Sequence, residues 1–333
     1  MPARAVRPLQ CIHVISLEQA CFEVYERKTA VKDTRTDSPA RDGLSPDARD
    51  VSYGPHPRNV LDVWRARATS PAPLVIYIHG GGFRAGDKST IDRERLRLLL
   101  DAGFAVASIN YRLSDTAREP AYMLDGARAV QFLRANAERW GIDPARVAAT
   151  GNSAGGGISM WLAFHPDLAD AASDDPVARE STRLSCAAVF NAQCTYDPRA
   201  FCTLGLEAAI EHVFIEPFYG MTRDEFDTPE AHRRFDEAAA ITYLDASAPP
   251  VYQAFRQEDV PVPSEAEMPP VAREKVGIPK AKPRSNVAVH HPRLGKLLKE
   301  RMDALGLECE LRVGVEAATA NPEMVAFFGR HMR

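Results

Sequence analysis

"VAATGNSAGGGISMWLAFH", Val147 to His165, starts as an apolar strand run, passes through glycines set around a serine, and resumes as an apolar helix. Gly151, Ser153 and Gly155 stand in the spacing G-x-S-x-G. A chain that turns sharply from strand to helix pushes the serine hydroxyl out at the top of a sheet, and side chains at the flanking positions would clash in that turn, so glycines are required there. The following helix sets its N-terminus beneath the serine, where its dipole favours negative charge.

Outward from this turn, apolar runs and helical stretches alternate. "APLVIYIHG" and "GFAVASINYRL" read as strands buried on both faces. Between them "STIDRERLRLLLDAG" carries leucines at helical spacing and stops at Gly103. In the next helix Ala127, Val130, Leu133 and Ala137 share one face. "SCAAVFNAQC", "PPVYQAFRQED" and "ECELRVGV" supply further strands, and "RLGKLLKERMDALG" puts Leu294, Leu297, Leu298, Met302 and Leu305 on one stripe. A closing helix is expected to start at Pro322. Ahead of all these, "DVSYG" and "NVLDVWRAR" flank "GPHPRN" as an antiparallel hairpin. The alternation predicts an α/β fold, a mainly parallel sheet with helices on both faces. Residues 1–50 read as an N-terminal lead-in and 51–333 as one α/β domain, with a helical cap inserted at about 196–248. "SEAEMPPVAREKVGIPKAKPRSN", proline-rich and charged, is expected to be an exposed loop.

Composition bounds the function. The 333 residues are 45% hydrophobic and 26% charged, ordinary values for a globular protein with a large core. Forty-one basic against 45 acidic residues give a net charge of −4 with no basic block, which argues against a nucleic-acid partner. The six cysteines (Cys11, Cys21, Cys186, Cys194, Cys202, Cys309) show neither CxxC nor framework spacing and read as reduced thiols. No stretch reaches the ~18 apolar residues of a membrane span, and "CIHVISL" is too short and too polar at its flanks for a secretory signal. A cytoplasmic protein is the expectation. No HExxH-type spacing implies a metal, the glycine run lacks the lysine and Ser/Thr of a phosphate loop, and no cofactor is expected. The oligomeric state is left open, a dimer included.

A second motif fits the first. "VIYIHGGGFRAGDK" (Val75–Lys88) ends a strand in His79 and follows it with three glycines. When a serine attacks an ester carbonyl, charge gathers on an oxygen that needs two or three N–H donors. Amides after Gly80, in a loop stripped of side chains, can supply them from one side, and the amide of Ala154 from the other. His79 precedes the serine and ends a buried strand, so it reads as a histidine that fixes the loop rather than a base.

Together, "YIHGGGFRAGDK", "INYRLS", "DGARAVQFLRANAERWGIDPARVAATGNSAGG" and the "PP" at 249–250 resemble the α/β-hydrolase superfamily, and within it the esterases of the hormone-sensitive-lipase and feruloyl-esterase-like type. The resemblance spans about residues 50–330 and is dense from about 59 to 165. It implies the α/β-hydrolase fold and a carboxylesterase acting on a small-molecule ester. It further implies Ser153 as nucleophile, Gly81, Gly82 and Ala154 as the oxyanion hole, and His79 as loop organiser.

A serine needs a base oriented by a third group, and in this fold the chain order is serine, acid, histidine. The loop "RQEDVPVP" offers Glu258 and Asp259, with Asp259 preferred because "DVPVP" resembles the family's acid loop; the preceding "AFRQ" departs from the usual apolar–glycine pattern. The histidine belongs just beyond the last strand. "VGVEAATANPEM" holds none; Glu316, Ala317, Ala318 and Thr319 stand there. After Asp259 only His290, His291 and His331 remain. His331 is far from the expected position, and of the neighbouring pair His291 is slightly preferred as a substitute base. Three functions are open. They are a serine hydrolase with a recruited histidine, a degenerate member that binds an acyl or sugar-ester ligand or a partner without turnover, and a different reaction in which Glu316 moves a proton beside Ser153.

Overall fold

Eight strands pair edge to edge into one sheet, in the order β1-β2-β4-β3-β5-β6-β7-β8. They are β1 Ala48–Ser52, β2 Val60–Trp64, β3 Ala72–Ile78, β4 Ala105–Ile109, β5 Ile142–Asn152, β6 Cys186–Phe190, β7 Val251–Phe255 and β8 Cys309–Val313. The computed structural model describes residues 44–67, 71–268 and 283–332. Most of the expected lead-in, and residues 269–282 of the expected loop, lie outside them. β1 pairs antiparallel with β2, and β2 with β4; all other pairs are parallel. The protein has the α/β fold that the strand–helix alternation predicts.

The central strands are buried on both faces because their alternate side chains feed two cores. Leu74, Ile76 and Ile78 of β3 join one cluster, with Val130, Leu133, Ile158 and Leu162 from the helices Ala121–Ala135 and Ala154–Phe164. Val75 and Tyr77 point the other way, toward Leu96, Leu99, Met324 and Phe327 from the helices Arg93–Asp101 and Ala317–His331. In the helix Arg293–Ala304 the residues Leu294, Leu298 and Met302 are buried, whereas Leu305 follows its end and is exposed. Between β6 and β7 the chain forms the helices Pro198–Thr203, Ile215–Tyr219 and Pro229–Ala238, joined by short 3-10 turns. Phe83, Tyr122, Tyr196, Phe214 and Phe218 interlock between this insertion and the sheet, with ring centroids 4.6–6.2 Å apart. No helix among the described residues is long and apolar enough to cross a membrane.

Two local expectations need correction. The closing helix begins at Ala317 rather than at Pro322, which lies inside it. Glu316 is extended, and its carbonyl accepts the amides of Thr319 and Ala320 at 3.0 Å each, which turns the chain into the helix before the proline is reached. The loop expected to run through Asn286 ends earlier, because a helix spans Pro283–Val289. Proline suits a first helical turn, where its missing N–H would have had no partner. That short helix brings the chain to the mouth of the sheet.

Candidate active site

The parallel strands β3, β5, β6, β7 and β8 end on one edge of the sheet, and the candidate residues gather there. At the end of β5 the chain reverses through Ser153, whose φ of 52° and ψ of −122° lie in a region that non-glycine residues rarely occupy. Such a conformation costs about 1–3 kcal/mol and persists only where the surroundings enforce it. Here Ser153 donates its amide to Phe190 at 2.9 Å, and its carbonyl accepts the amide of Gly157 at 3.0 Å. The neighbouring backbones leave no room for side chains. A Cβ on Gly155 would stand 2.0 Å from the Ile78 carbonyl oxygen, and one on Gly151 would stand 2.4 Å from the Gly155 backbone. Ser153 is half-buried, with its Oγ facing a cleft.

The glycine loop after β3 is fixed through its carbonyls. Gly80 O accepts from His79 Nδ1 at 2.7 Å. Gly81 O accepts from the amides of Arg84 and Ala85 at 3.1 and 3.2 Å. In a planar trans peptide the C=O and the following N–H point in opposite directions. Turning these two carbonyls into the loop therefore turns the N–H groups of Gly81 and Gly82 out of it. Neither N–H donates to another group among the described residues. Gly81 has φ 118°, and a Cβ there would lie 2.1 Å from Ala85 O. His79 is wholly buried, stacked on Tyr111 at 4.3 Å, with Nε2 3.3 Å from the Arg58 guanidinium. Burial lowers its pKa to about 4, so it is neutral, and its protonated Nδ1 holds Gly80. Arg58 ties the loop further through Gly86 O at 2.9 Å and Tyr111 O at 2.7 Å.

The two adjacent histidines part company. His290 Nε2 lies 2.8 Å from Ser153 Oγ. Its Nδ1 lies 2.8 Å from the carbonyl oxygen of Asn286, one helical turn back. A carbonyl can only accept, so Nδ1 carries the proton and Nε2 is left as acceptor for the serine hydroxyl. Burial lowers the pKa of His290, keeping the ring neutral near pH 7. Val289, just before it, is pinned through its carbonyl by Gln193 Nε2 at 2.6 Å. The preference for His291 is thereby corrected. His291 is buried; its Nε2 donates to Val260 O at 2.7 Å, and its Nδ1 accepts the amide of Arg293 at 3.2 Å. Both ring nitrogens are used in tethering the acid loop and the start of the next helix, so neither reaches Ser153.

Asp259 also stands apart from the serine–histidine pair. Its carboxylate bonds Lys296, lies 3.6 Å from Arg293 Nε, and is 3.9 Å from His291 Nδ1. The Lys296 ammonium holds it below the usual carboxylate range. Glu258 packs over Gly314, where a Cβ would meet its Oε1 at 2.1 Å. Glu316 is exposed and pairs with Arg256 at 2.9 Å, and it makes no hydrogen bond to Ser153 among the described residues. Ala317, Ala318 and Thr319, where the family places its histidine, form the exposed first turn of the closing helix.

Ser153, Gly81, Gly82 and His290 line a cavity of about 310 Å³, closed on the insertion side by His212, Val213 and Phe214. Phe214 is the one aromatic of the insertion that reaches this wall; Phe201, Phe218 and Tyr219 pack in the core. A larger groove of about 620 Å³ between the insertion and the helix Arg293–Ala304 contains Leu204, Leu244, Leu297 and Arg301 but neither Ser153 nor His290, so the chemistry belongs to the smaller one. Asp197 caps the helix at Pro198, accepting the Arg199 amide at 2.8 Å.

The sequence reading left Arg58, Gln193, Asn286 and the cleft histidine His212 unassigned. One signal was present for the carboxyl-terminal part. Taken as a helix start, Pro283 in "PRSNVAVHH" sets Asn286 and His290 four residues apart on one helical face. For Arg58 and Gln193 no signal exists in the sequence.

Comparison with known proteins gives the chain a family and a fold. The BD-FAE family model matches residues 61–267, more than half of the chain. A probable carboxylic ester hydrolase, LipM, and an esterase, LipQ, both of Mycobacterium tuberculosis strain H37Rv, are each 29% identical, over 64% and 65% of this chain and 48% and 49% of their own. The chain thus spans about half the length of these curated relatives. The crystal structure of an acetyl ester-xyloside bifunctional hydrolase from Caldicellulosiruptor lactoaceticus superposes with a TM-score of 0.61 at 18% identity, covering 90% of this chain and 93% of that one, a likeness of fold.

Proposed function

The chain belongs to the BD-FAE family of α/β-hydrolases, and from that premise we propose that it cleaves small carboxylic esters through an acyl-serine intermediate, with Ser153 and His290 as the reacting pair. The observation that carries the reading is the 2.8 Å approach of Ser153 Oγ to His290 Nε2, with Nδ1 oriented by the Asn286 carbonyl.

In the first step Ser153 Oγ bonds to the ester carbonyl carbon while His290 Nε2 takes the hydroxyl proton. The carbonyl oxygen becomes an alkoxide, received by the outward N–H groups of Gly81 and Gly82 and by the amide of Ala154 at the helix N-terminus. Donors fixed in advance let such a charge develop without reorganising the loop. The tetrahedral centre collapses, His290 returns the proton to the departing alcohol oxygen, and the acyl group stays on Ser153. Water, deprotonated by the same ring, then releases the acid. A cavity of about 310 Å³ fits a small ester.

One feature favours a second reading, a binder without turnover. His290 Nδ1 rests on a neutral carbonyl, which stabilises the imidazolium less than a carboxylate would. The two are separated by hydrolysis of 4-nitrophenyl acetate and by labelling with a fluorophosphonate. Turnover by the native chain that vanishes in Ser153→Ala, with the label recovered on Ser153, is the expected result. A background-level rate equal in both proteins, with no label, overturns the hydrolase reading.

A further inference from the structure

The lining of the cleft is electrically one-sided. Arg84 follows the glycine loop directly and lines the same cavity as Ser153 and His290. Its guanidinium makes one hydrogen bond, from Nη1 to Val213 O at 3.3 Å. No carboxylate pairs with it among the described residues. The two cleft histidines do not balance or add to it near pH 7. His212 has its pKa lowered to about 4 by burial, and that of His290 is lowered likewise. No Asp or Glu among the described residues lines the cavity. Among the described residues Arg84 is therefore the single formal charge lining the cleft, and most of its five N–H donors have no partner there.

We propose that Arg84 is a specificity-determining residue that selects esters carrying a carboxylate on one arm. The inference rests on the ester-cleavage reading above and names its substrate class. A guanidinium presents two parallel N–H donors that match the two oxygens of a carboxylate. Neutral walls of glycine, valine and phenylalanine around it weaken competition from water. A neutral ester leaves the guanidinium solvated at the cleft mouth and gains nothing from it. An anionic one exchanges that water for a bidentate contact while its ester carbonyl faces Gly81 and Gly82.

The test compares 4-acetoxybenzoate with its methyl ester, two acetyl esters that differ in charge at the far end. The native protein is expected to show a kcat/KM at least tenfold higher for the acid. Hydrogen bonds to charged groups carry about 10- to 100-fold in affinity. Arg84→Gln should bring the ratio of the two kcat/KM values near one, and Arg84→Lys, which keeps the charge and loses the fork, should retain part of the preference. Raising ionic strength should compress the ratio in the native protein and not in Arg84→Gln. A native ratio of one or less overturns the proposal, as does an unchanged ratio in Arg84→Gln. If neither ester is cleaved, the hydrolase reading fails by itself, and the charge preference is judged on the Kd of both compounds for Ser153→Ala by calorimetry. Tighter binding of the acid that disappears in Ser153→Ala/Arg84→Gln supports it, and equal Kd values overturn it.

Discussion

The two halves of the cleft are made by different means. The amino-terminal half, the glycine loop and the serine turn, is specified by backbone. Its donors are amides, its geometry is set by two inward carbonyls, and its spacing tolerates no Cβ at Gly81, Gly151 or Gly155. The carboxyl-terminal half is specified by placement of one ring. His290 hangs from a seven-residue helix and is held by the Asn286 carbonyl and by Gln193 acting on Val289. A backbone site can be built in few ways, whereas a ring nitrogen needs only a tether within reach. On the proposed mechanism, that lets the base come from a different loop while the glycine loop and serine turn keep their form.

The sharpest way to break the comparison is to remove each of the two neighbouring histidines. His290→Ala should lower kcat for 4-nitrophenyl acetate by about 10⁴-fold, the upper end for a positioned base. His291→Ala should leave kcat within about tenfold of the native value and instead lower unfolding stability by about 1–3 kcal/mol, because the Val260 carbonyl and Arg293 amide lose their buried partner. Steady-state rates and urea denaturation of both variants decide it. A large kcat loss in His291→Ala with little in His290→Ala would return the base to His291.

The backbone half is probed by Gly155→Ala. Its new methyl would lie 2.0 Å from Ile78 O and 2.5 Å from His79 O, atoms of a strand end that cannot rotate away. Overpacking against backbone should cost about 3 kcal/mol or more in urea denaturation. A stability change under 1 kcal/mol would mean that the turn is looser than its spacing implies.

How legible each half is in the sequence follows from the same contrast. Glycine spacing reports backbone need, so "HGGG" and "GNSAG" announce their loop and turn, and the apolar runs around them announce a parallel sheet. "HH" at 290–291 announces only that two rings share a place. Which of them faces Ser153 depends on the helix begun by Pro283, hidden in a stretch that composition reads as loop. Asp259 illustrates the opposite case: its position after β7 fits an orienting acid, while its carboxylate here faces Lys296 and Arg293, one helix away.

Acid should act on both halves together. His79 and His212 have pKa values lowered to about 4, and His290 is lowered as well, all chiefly by burial. The folded chain therefore binds fewer protons than the unfolded one below the ordinary histidine value of about 6.5. Stability should be flat above that pH and fall as pH drops from there toward 4, measured by urea midpoints at pH 7.5 and 5. The kcat/KM profile should lose activity as pH falls through the lowered value of His290 and stay level near neutrality. A profile still rising between pH 7 and 8 would assign the base to another group.

The smallest effect is expected at Asp259. An acid that orients a catalytic imidazole loses about 10⁴ in kcat when changed to the amide. In this cleft the imidazole is oriented by Asn286 O, and the Asp259 carboxylate faces Lys296 and Arg293 on the helix Arg293–Ala304. Asp259→Asn should therefore change kcat less than about tenfold, and because the ion pair is partly solvated its loss should cost no more than about 1 kcal/mol of stability. The same substitution separates two ways of holding a base. A loss near 10⁴ would mean that Asp259 leaves its lysine and reaches His290 during turnover, and the carboxyl-terminal half would then be as tightly determined as the glycine loop.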